Sequence, residues 1–148
     1  MTEYVLPTHA NALGSIFGGQ VLAWIDLCAA ICAQRHSGST VITAGIDDLS
    51  FDRGIKVGQV VRLAARVTAT FRTSLEILVS VEGEDATTGD VWPTVTAFVT
   101  FVAVDASLKP TAVRPLRLET DEDRLLAAAA AERRARRLSR RSGGRGGA

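Results

Sequence analysis

Hydrophobic and polar residues follow two different periods along this chain, and the change of period predicts where a helix gives way to strands. Between residues 16 and 35, apolar side chains recur three or four positions apart, which is the spacing of one buried helix face. Gly38 is the expected end of this helix. The predicted buried face comprises Val21, Trp24, Ile25, Cys28, Ile31 and Cys32.

After the helix the period becomes two, which is typical of strands that bury one face. A short strand over residues 2–6 precedes the helix, and strands over 40–51, 60–71, 75–81 and 91–105 follow it. We expect these four to form a meander, with an irregularity in the first at Gly45 or Asp47–Asp48. The buried face of the second is expected to carry Val61, Leu63, Ala65, Val67, Ala69 and Phe71.

An antiparallel sheet with one apolar face needs a cover, and only the first helix is long enough to provide it. The sequence therefore predicts an α+β fold in which an antiparallel sheet wraps around one long central helix. A second helix is predicted because Thr120 and Asp121 suit its start and arginines suit its end. We assign residues 1–118 to the sheet-and-helix domain, 119–141 to this basic helix and 142–148 to a disordered tail.

Charge is unevenly distributed along the chain. The formal net charge is only +1, but the last sixteen residues contain seven arginines and no acidic residue, so the remainder carries a charge near −6. A basic end on an acidic body is typical of a segment that meets an anionic partner or lies in solvent. Aromatic residues make up only 5% of the chain and none lies among these arginines, which argues against specific nucleic-acid binding.

The cysteines and the apolar segments argue against several other classes. Cys28 and Cys32 lie one turn apart in the apolar helix and are expected to be reduced core residues of a cytoplasmic protein. Nothing in the sequence has the spacing of a metal site, and residues 1–7 do not resemble a signal peptide. Residues 21–33 are too short for a membrane span and contain Asp26 at their centre, so no membrane partner is expected.

Asp26 is the most unusual residue of the chain, because it lies in the middle of the most apolar helix. An ionised carboxylate there costs several kcal/mol unless it is paired or hydrated. Three of its four neighbours one turn away are alanines, so a ligand has room to approach it. Desolvation makes a carboxylate more basic, which suits a general base. A buried salt bridge or an interface hydrogen bond is the alternative explanation.

Two glycines precede this carboxylate at the start of the helix. The N–H groups of a first helical turn have no partner inside the helix, and Gly18 and Gly19 let a ligand oxygen approach them. Such N–H groups stabilise the oxyanion of a tetrahedral acyl intermediate. The alternative is that both glycines only permit close packing between the helix and the sheet.

The segment His9–Asp26, with the sequence HANALGSIFGGQVLAWID, resembles the signature of the hotdog-fold acyl-CoA thioesterases of the cytosolic acyl-CoA hydrolase type. Residues 41–51, 56–61, 71–77 and 131–138 are similar to other parts of these enzymes, so the resemblance covers about residues 2–138. It implies a hotdog fold and the hydrolysis of acyl-CoA to a free acid and CoA, with no metal and no cofactor besides the CoA of the substrate. It also implies a homo-oligomer, at least a dimer and commonly a trimer of dimers.

The same resemblance implies which residues form the site. Its catalytic pair corresponds to Asn11 and Asp26. In the chemistry that we expect, Asp26 acts on water as a general base or attacks the thioester as a nucleophile. Asn11 orients the water or the carbonyl, and the N–H of Gly18 stabilises the oxyanion. The implied CoA contacts are Ala44, Gly45 and Ile46, then Thr73, Ser74 and Leu75, and an arginine of the second helix, either Arg134 or Arg133.

Helix geometry indicates that two chains share this site. Gly18 and Asp26 are eight residues apart, which is about 12 Å along a helix. A water held by Asp26 has to come within roughly 3–3.5 Å of the carbonyl carbon that Gly18 polarises. One helix cannot satisfy both requirements for one thioester, whereas antiparallel helices from two protomers can.

Two other functions are consistent with the same chain. Hydratases and dehydratases of this fold use a histidine with an acid, but His9 and His36 both lie away from the Asp26 face of the helix. A non-enzymatic acyl-CoA-binding protein, or a nucleic-acid-binding protein that uses the arginine-rich end, needs no catalytic carboxylate. Release of free thiol from an acyl-CoA separates these hypotheses. The preferred acyl group does not follow from the sequence.

Overall fold

The computed structural model describes residues 1–144, which form one antiparallel sheet with a long helix on one face and a second helix on the other. The strands are β1 (Thr2–Tyr4), β2 (Thr40–Phe51), β3 (Val60–Thr70), β4 (Ser74–Glu84) and β5 (Val91–Val104). The helices are α1 (Gly18–Ser37) and α2 (Asp121–Gly143), and a short 3-10 turn spans Pro7–His9. The predicted α+β fold, with a sheet around a central helix, is confirmed.

The strand order is β1-β3-β4-β5-β2, and every neighbouring pair is antiparallel. Strands β3, β4 and β5 form a meander as predicted, but β2 is not part of it. This strand pairs with β5, from Thr40 opposite Val104 to Phe51 opposite Val95, and so forms one edge of the sheet. The predicted four-stranded meander is therefore wrong at β2, because tertiary contacts rather than sequence order decide which strands are neighbours.

Helix α1 packs most of its predicted apolar face against the sheet. It begins after Phe17 and ends at Gly38, whose φ of 66° is a left-handed conformation that glycine adopts without strain. Two residues of the predicted face are less buried than expected, since Ile31 is 38% exposed and Cys32 is half-buried. Ala29 and Ala33 are buried instead. The prediction missed them because nearly every residue of this helix segment is apolar, so the sequence gives little indication of which face points toward the sheet. The buried residues are Val21, Trp24, Ile25, Cys28, Ala29 and Ala33.

Register shifts interrupt β2 and β3. In β2 they occur just before Gly45 and just after Asp47, which confirms the irregularity predicted in this strand. In β3 an unpredicted shift lies between Val67 and Ala69. It places Ala69 opposite Glu76, on the sheet face away from α1, and Phe71 faces the same way. The predicted positions of Ala69 and Phe71 on the α1 face are therefore wrong.

Helix α2 begins with a capping box and lies across the sheet face opposite to α1, which we call the outer face. The Thr120 side chain accepts a hydrogen bond from the N–H of Asp123, whose carboxylate accepts one from the N–H of Thr120. The helix continues to Gly143, two residues beyond its predicted end at residue 141. Ser142 and Gly143 are therefore helical, rather than part of the tail that was predicted to begin at residue 142. The last part of that expected tail, residues 145–148, lies outside the described residues. Neither helix of residues 1–144 is long and apolar enough to cross a membrane.

Candidate active site

The loop before α1 presents the side-chain amide of Asn11. Its oxygen accepts hydrogen bonds from the backbone N–H of Leu13, at 2.9 Å, and of Ser15, at 3.2 Å. Gly14 closes the same turn with a φ of 77°, and its N–H donates to the Asn11 carbonyl at 3.0 Å. The Nδ2 atom of Asn11 has no hydrogen-bond partner among residues 1–144, so it is available to donate to a ligand oxygen.

The first turn of α1 presents two backbone N–H groups. Those of Gly18 and Gly19 have no acceptor within the described part of the chain, as expected for the first turn of a helix. A Cβ at Gly18 would contact the Phe51 ring at an ordinary 3.6 Å, and a Cβ at Gly19 would meet nothing within 4 Å. Close packing between helix and sheet therefore does not require glycine here, and both residues are exposed in the single chain.

Asp26 lies midway along α1 and is held by strand β2. The Thr43 hydroxyl donates a hydrogen bond of 2.8 Å to Asp26 Oδ1. Among residues 1–144 no cation forms an ion pair with this carboxylate and Oδ2 has no partner. The carboxylate is half-buried in a single chain, and so less buried than the apolar pattern predicted. One oxygen is thus fixed while the other is free to accept a proton from water.

A single chain does not bring the predicted catalytic residues to one point. Gly18 and Asp26 lie on the same helix, about 12 Å apart along its axis. Edge strand β2 has one side without a neighbouring strand, and apolar surface lies exposed near it and near the start of α1. Surface of this kind is typical of a contact with another protein chain. The exposed apolar side chains are Leu13, Phe17, Leu27, Ile42 and Phe51.

Four of the residues that the resemblance assigns to CoA line one cavity on the outer face, between α2 and the sheet. These residues are Ala44, Thr73, Ser74 and Arg134, and the cavity has a volume of about 140 Å³. The Arg134 guanidinium stacks over the Phe71 ring, 4.8 Å from its centre. The structure thus brings together residues from all three stretches that were predicted to bind CoA, in what we call the outer-face cavity.

Arg133, the other candidate arginine, is not free to bind a phosphate group. Its buried guanidinium donates two hydrogen bonds to the Glu76 carboxylate, of 2.9 and 2.8 Å, and stacks over the Phe98 ring at 3.6 Å. Hydrogen bonding to Glu76 raises the pKa of the Arg133 guanidinium above its ordinary value. Glu76 is fully buried and also accepts a hydrogen bond of 2.7 Å from the Thr68 hydroxyl. Arg133 therefore holds α2 on the sheet, which corrects its predicted role.

The other predicted CoA residues lie outside the outer-face cavity. Leu75 is fully buried in the core between the sheet and α1, so its side chain does not reach a ligand on the outer face. Gly45 pairs with Thr100 of β5, whose side chain does line the cavity. Ile46 lines a neighbouring polar cavity together with Asp47. The structure therefore does not bring the side chains of Leu75 and Ile46 to the predicted CoA site.

Both histidines have structural partners. His9 Nδ1 accepts a hydrogen bond of 3.1 Å from the N–H of Leu6, and its ring packs edge-on against Trp24. His36 Nε2 lies 2.7 Å from the carbonyl oxygen of Arg114. Within residues 1–144 neither histidine pairs with an acid, and no three His, Cys, Asp or Glu side chains form a group that would hold a metal. Residues 1–144 of a single chain therefore do not bring a histidine and an acid together as a pair.

Sequence analysis missed Thr43 and Glu76. A threonine or a glutamate in an alternating strand looks like an ordinary solvent-facing residue. The sequence did contain a signal for Glu76. This residue stands between apolar residues that are predicted to be buried. In addition, the arginine-rich second helix needs acidic partners if it packs on the sheet. No comparable signal marked Thr43, whose contact with α1 exists only because β2 pairs with β5.

The sequence also matches known proteins. The family model of the thioesterase superfamily matches residues 13–89. Acyl-coenzyme A thioesterase 11 of Mus musculus is 41% identical over 140 residues, which are 93% of this chain and 23% of that protein. The chain spans about a quarter of the length of this and two other curated relatives.

Solved structures give the same assignment. An apo-hexameric acyl-CoA thioesterase superposes with a TM-score of 0.89 at 42% identity, over 95% of this chain and 90% of that chain. The acyl-CoA hydrolase of Staphylococcus aureus in complex with butyryl coenzyme A, coenzyme A and coenzyme A disulfide gives 0.88 at 31% identity, over 98% and 88%. Further structures of this hydrolase carry alanine in place of an asparagine, an aspartate and a threonine, which are separated by 15 and 17 residues. The chain therefore belongs to the thioesterase superfamily and has its hotdog fold.

Proposed function

We propose that this chain hydrolyses acyl-CoA thioesters to a free acid and CoA, at a site that two copies of the chain share. Asp26 takes a proton from water, the hydroxide attacks the thioester carbonyl carbon, and the N–H of Gly18 binds the oxyanion. When the tetrahedral intermediate collapses, the CoA thiolate leaves and receives the proton from Asp26. The observation that carries the proposal is the Asp26 carboxylate, with one oxygen fixed by Thr43 and the other free.

The spacing of three polar residues supports this chemistry. Asn11, Asp26 and Thr43 are separated by 15 and 17 residues. The asparagine, aspartate and threonine replaced in the Staphylococcus aureus hydrolase have the same separations. In our proposal the free amide of Asn11 donates to the carbonyl or to the water, and Thr43 is a positioning residue that orients the Asp26 carboxylate.

A shared site agrees with the surface of the single chain. The distance of about 12 Å between Gly18 and Asp26 separates the oxyanion donor from the base within one helix. A second copy that covers the exposed apolar residues beside β2 would bring its own Gly18 toward this Asp26. We propose at least a dimer, and a trimer of dimers by analogy with the hexameric thioesterase of similar structure.

The outer-face cavity is where we propose that the CoA moiety binds. The body of the chain is acidic, so a polyanion needs a local group of cations. Arg134 supplies one beside the hydroxyls of Thr73 and Ser74. The related Staphylococcus aureus hydrolase binds butyryl coenzyme A and coenzyme A, which supports the same class of substrate here. Both cysteines are free thiols, which is consistent with a cytoplasmic enzyme.

Release of free thiol from short, medium, long and aryl CoA esters tests the proposed activity. We expect turnover of at least one ester, and we expect Asp26→Asn to lower kcat by about 10²–10⁴-fold because it removes the base. Asp90→Asn, in an exposed turn, makes the same change of charge and is the matched control. Absence of thiol release from every ester, or near-normal turnover by folded Asp26→Asn protein, would contradict the proposal.

Two substitutions at Thr43 separate positioning from folding. Thr43→Val removes the hydrogen bond to Asp26 and should lower kcat with little change in KM. Thr43→Ser keeps a hydroxyl and should retain most of the activity. Equal activity of the two variants would show that the hydrogen bond does not orient the base.

A further inference from the structure

We propose that a groove between the second half of α1 and strand β3 binds a free fatty acid, with the carboxylate at Arg35 and the alkyl chain along an apolar floor. We call it the α1–β3 groove. This inference goes beyond the proposed function, because it assigns a second ligand site on the side of α1 that faces away from Asp26. The ligand is of the same chemical class as the acid released from a long-chain acyl-CoA.

The α1–β3 groove lies on the opposite side of α1 from the proposed catalytic base. The residues of α1 that line it are Cys28, Ile31, Cys32 and Arg35. Because successive residues of a helix are about 100° apart, these four lie about 140–240° around the helix from Asp26. The helix itself therefore separates a ligand in this groove from the Asp26 carboxylate.

The lining of the groove suits a hydrocarbon chain. On the side of the sheet it includes Leu63, Ala64 and Ala65 of β3, and the groove has a volume of about 600 Å³. Sites for small organic ligands commonly measure about 300–1,000 Å³ and are mostly apolar. Ile31 is 38% exposed in the single chain, so an alkyl chain would cover it. Each methylene group that leaves water strengthens binding about fourfold.

Arg35 is the only charged side chain in the lining of the groove. Among residues 1–144 it forms no ion pair and donates no hydrogen bond. Burial raises the pKa of the Cys28 and Cys32 thiols, and the Arg35 charge lowers it in part, so this charge acts across the groove. A free guanidinium beside an apolar floor matches a carboxylate at the end of an alkyl chain, because the two groups can form paired hydrogen bonds.

The edge of β3 supplies a further donor. Strand β1 pairs with β3 only over residues 60–62, and the N–H of Leu63 donates to the Met1 carbonyl at 2.8 Å. In an antiparallel strand the backbone groups of alternate residues point to the same edge, so the N–H of Ala65 points outward as that of Leu63 does. Within residues 1–144 no strand lies opposite Ala65 on this side. Its N–H is therefore available to a polar atom in the groove.

Protection of Cys32 from iodoacetamide tests occupancy of the groove. Cys32 is half-buried and lines the groove, so a bound alkyl chain should slow its labelling, which peptide mass spectrometry follows. We expect laurate to slow labelling several-fold in a saturable way, and butyrate to have little effect because its short chain buries few methylene groups. Labelling that laurate does not change would overturn the proposal. If that labelling is slow only at high protein concentration, a second copy of the chain covers the groove instead.

Calorimetry with an arginine variant tests the proposed position of the carboxylate. Arg35→Gln should weaken laurate binding about tenfold, and should leave the binding of dodecanol, which has the same chain length and no carboxylate, unchanged. Arg117→Gln removes the same charge from an exposed arginine outside the groove and is the matched control. Equal losses for laurate and dodecanol, or the same selective loss in Arg117→Gln, would overturn the assignment.

Laurate binding to Asp26→Asn protein distinguishes the groove from the catalytic site. We expect unchanged affinity and unchanged protection of Cys32, because the groove lies on the other side of α1. Loss of laurate binding in this variant would place the acid at the catalytic site and overturn the proposal. A wild-type protein that releases no thiol from any ester but binds laurate through Arg35 would support the groove and contradict only the proposed hydrolysis.

Discussion

Replacement of Glu76 by alanine should release α2 from the outer face of the sheet. Glu76 is fully buried, and its carboxylate is the hydrogen-bond acceptor for the Arg133 guanidinium, at 2.9 and 2.8 Å. Arg133 is itself only 7% exposed, so water cannot readily replace the lost acceptor. Glu76→Ala therefore leaves the buried guanidinium without its hydrogen-bonded carboxylate and with only the longer ion pair of 3.9 Å to Asp48, and the Thr68 hydroxyl loses one of its two acceptors.

The expected cost follows from these contacts. Each charge-assisted hydrogen bond contributes about 1.5–3 kcal/mol, and removal of one partner of a buried ion pair costs about 3–5 kcal/mol. We therefore expect Glu76→Ala to lower the free energy of unfolding by about 3–5 kcal/mol. Glu82→Ala is the matched control, because Glu82 pairs with Arg62 at 3.9 Å on the exposed surface, where such pairs contribute about 0–1 kcal/mol.

Urea denaturation at fixed protein concentration measures this loss, and hydrogen exchange reports whether α2 opens first. The double variant Glu76→Leu with Arg133→Met removes both charges and should recover most of the lost stability. A loss below about 1 kcal/mol with unchanged exchange in α2 would refute the reasoning. A double variant as unstable as Glu76→Ala would show that lost packing, rather than an unpaired charge, is the cause.

Smaller perturbations test other contacts. A Cβ at Gly83 would lie 2.5 Å from the ring of Trp92, so Gly83→Ala should cost about 1–3 kcal/mol in urea titrations, and an unchanged midpoint would contradict this packing. Burial of Cys28 and partial burial of Cys32 raise the pKa of both thiols, so a thiol reagent should label them more slowly in the folded protein than in urea; equal labelling rates would contradict this shielding. The N–H groups of Glu119 and Thr120 hold the pKa of Asp123 below its ordinary value of about 3.9. The resulting stabilisation is present above that value and is lost as pH falls through the folded pKa, so circular dichroism of wild type and Asp123→Ala should differ near neutral pH and converge in acid.

Most elements of the fold could be predicted from sequence, because each strand and helix buries one face with its own period. In β4, Leu75, Ile77, Val79 and Val81 alternate, and all four lie in the core. The position of β2 could not be predicted, because a period of two shows which face is buried but not which strand lies alongside. The shift before Ala69 was hidden for a related reason, since a bulge changes the face without changing the composition.

The candidate site was predictable where a residue is locally unusual and unpredictable where tertiary contacts define it. Asp26 is conspicuous in an apolar helix, but Thr43 becomes significant only because β2 lies beside α1. The sequence also could not show which of the two neighbouring arginines, Arg133 or Arg134, is free to bind CoA. Neighbouring helical residues point about 100° apart, and the buried Glu76 decides which one faces the sheet.

The central claim is a site shared between two chains, and complementation measures it most directly. Neither Asn11→Ala nor Asp26→Ala protein should be active alone. A purified dimer of one Asn11→Ala chain and one Asp26→Ala chain would contain one intact site, with Asn11 from one chain and Asp26 from the other. We predict about half of the wild-type thiol-release rate per dimer. No recovery in that mixed dimer would contradict the shared site.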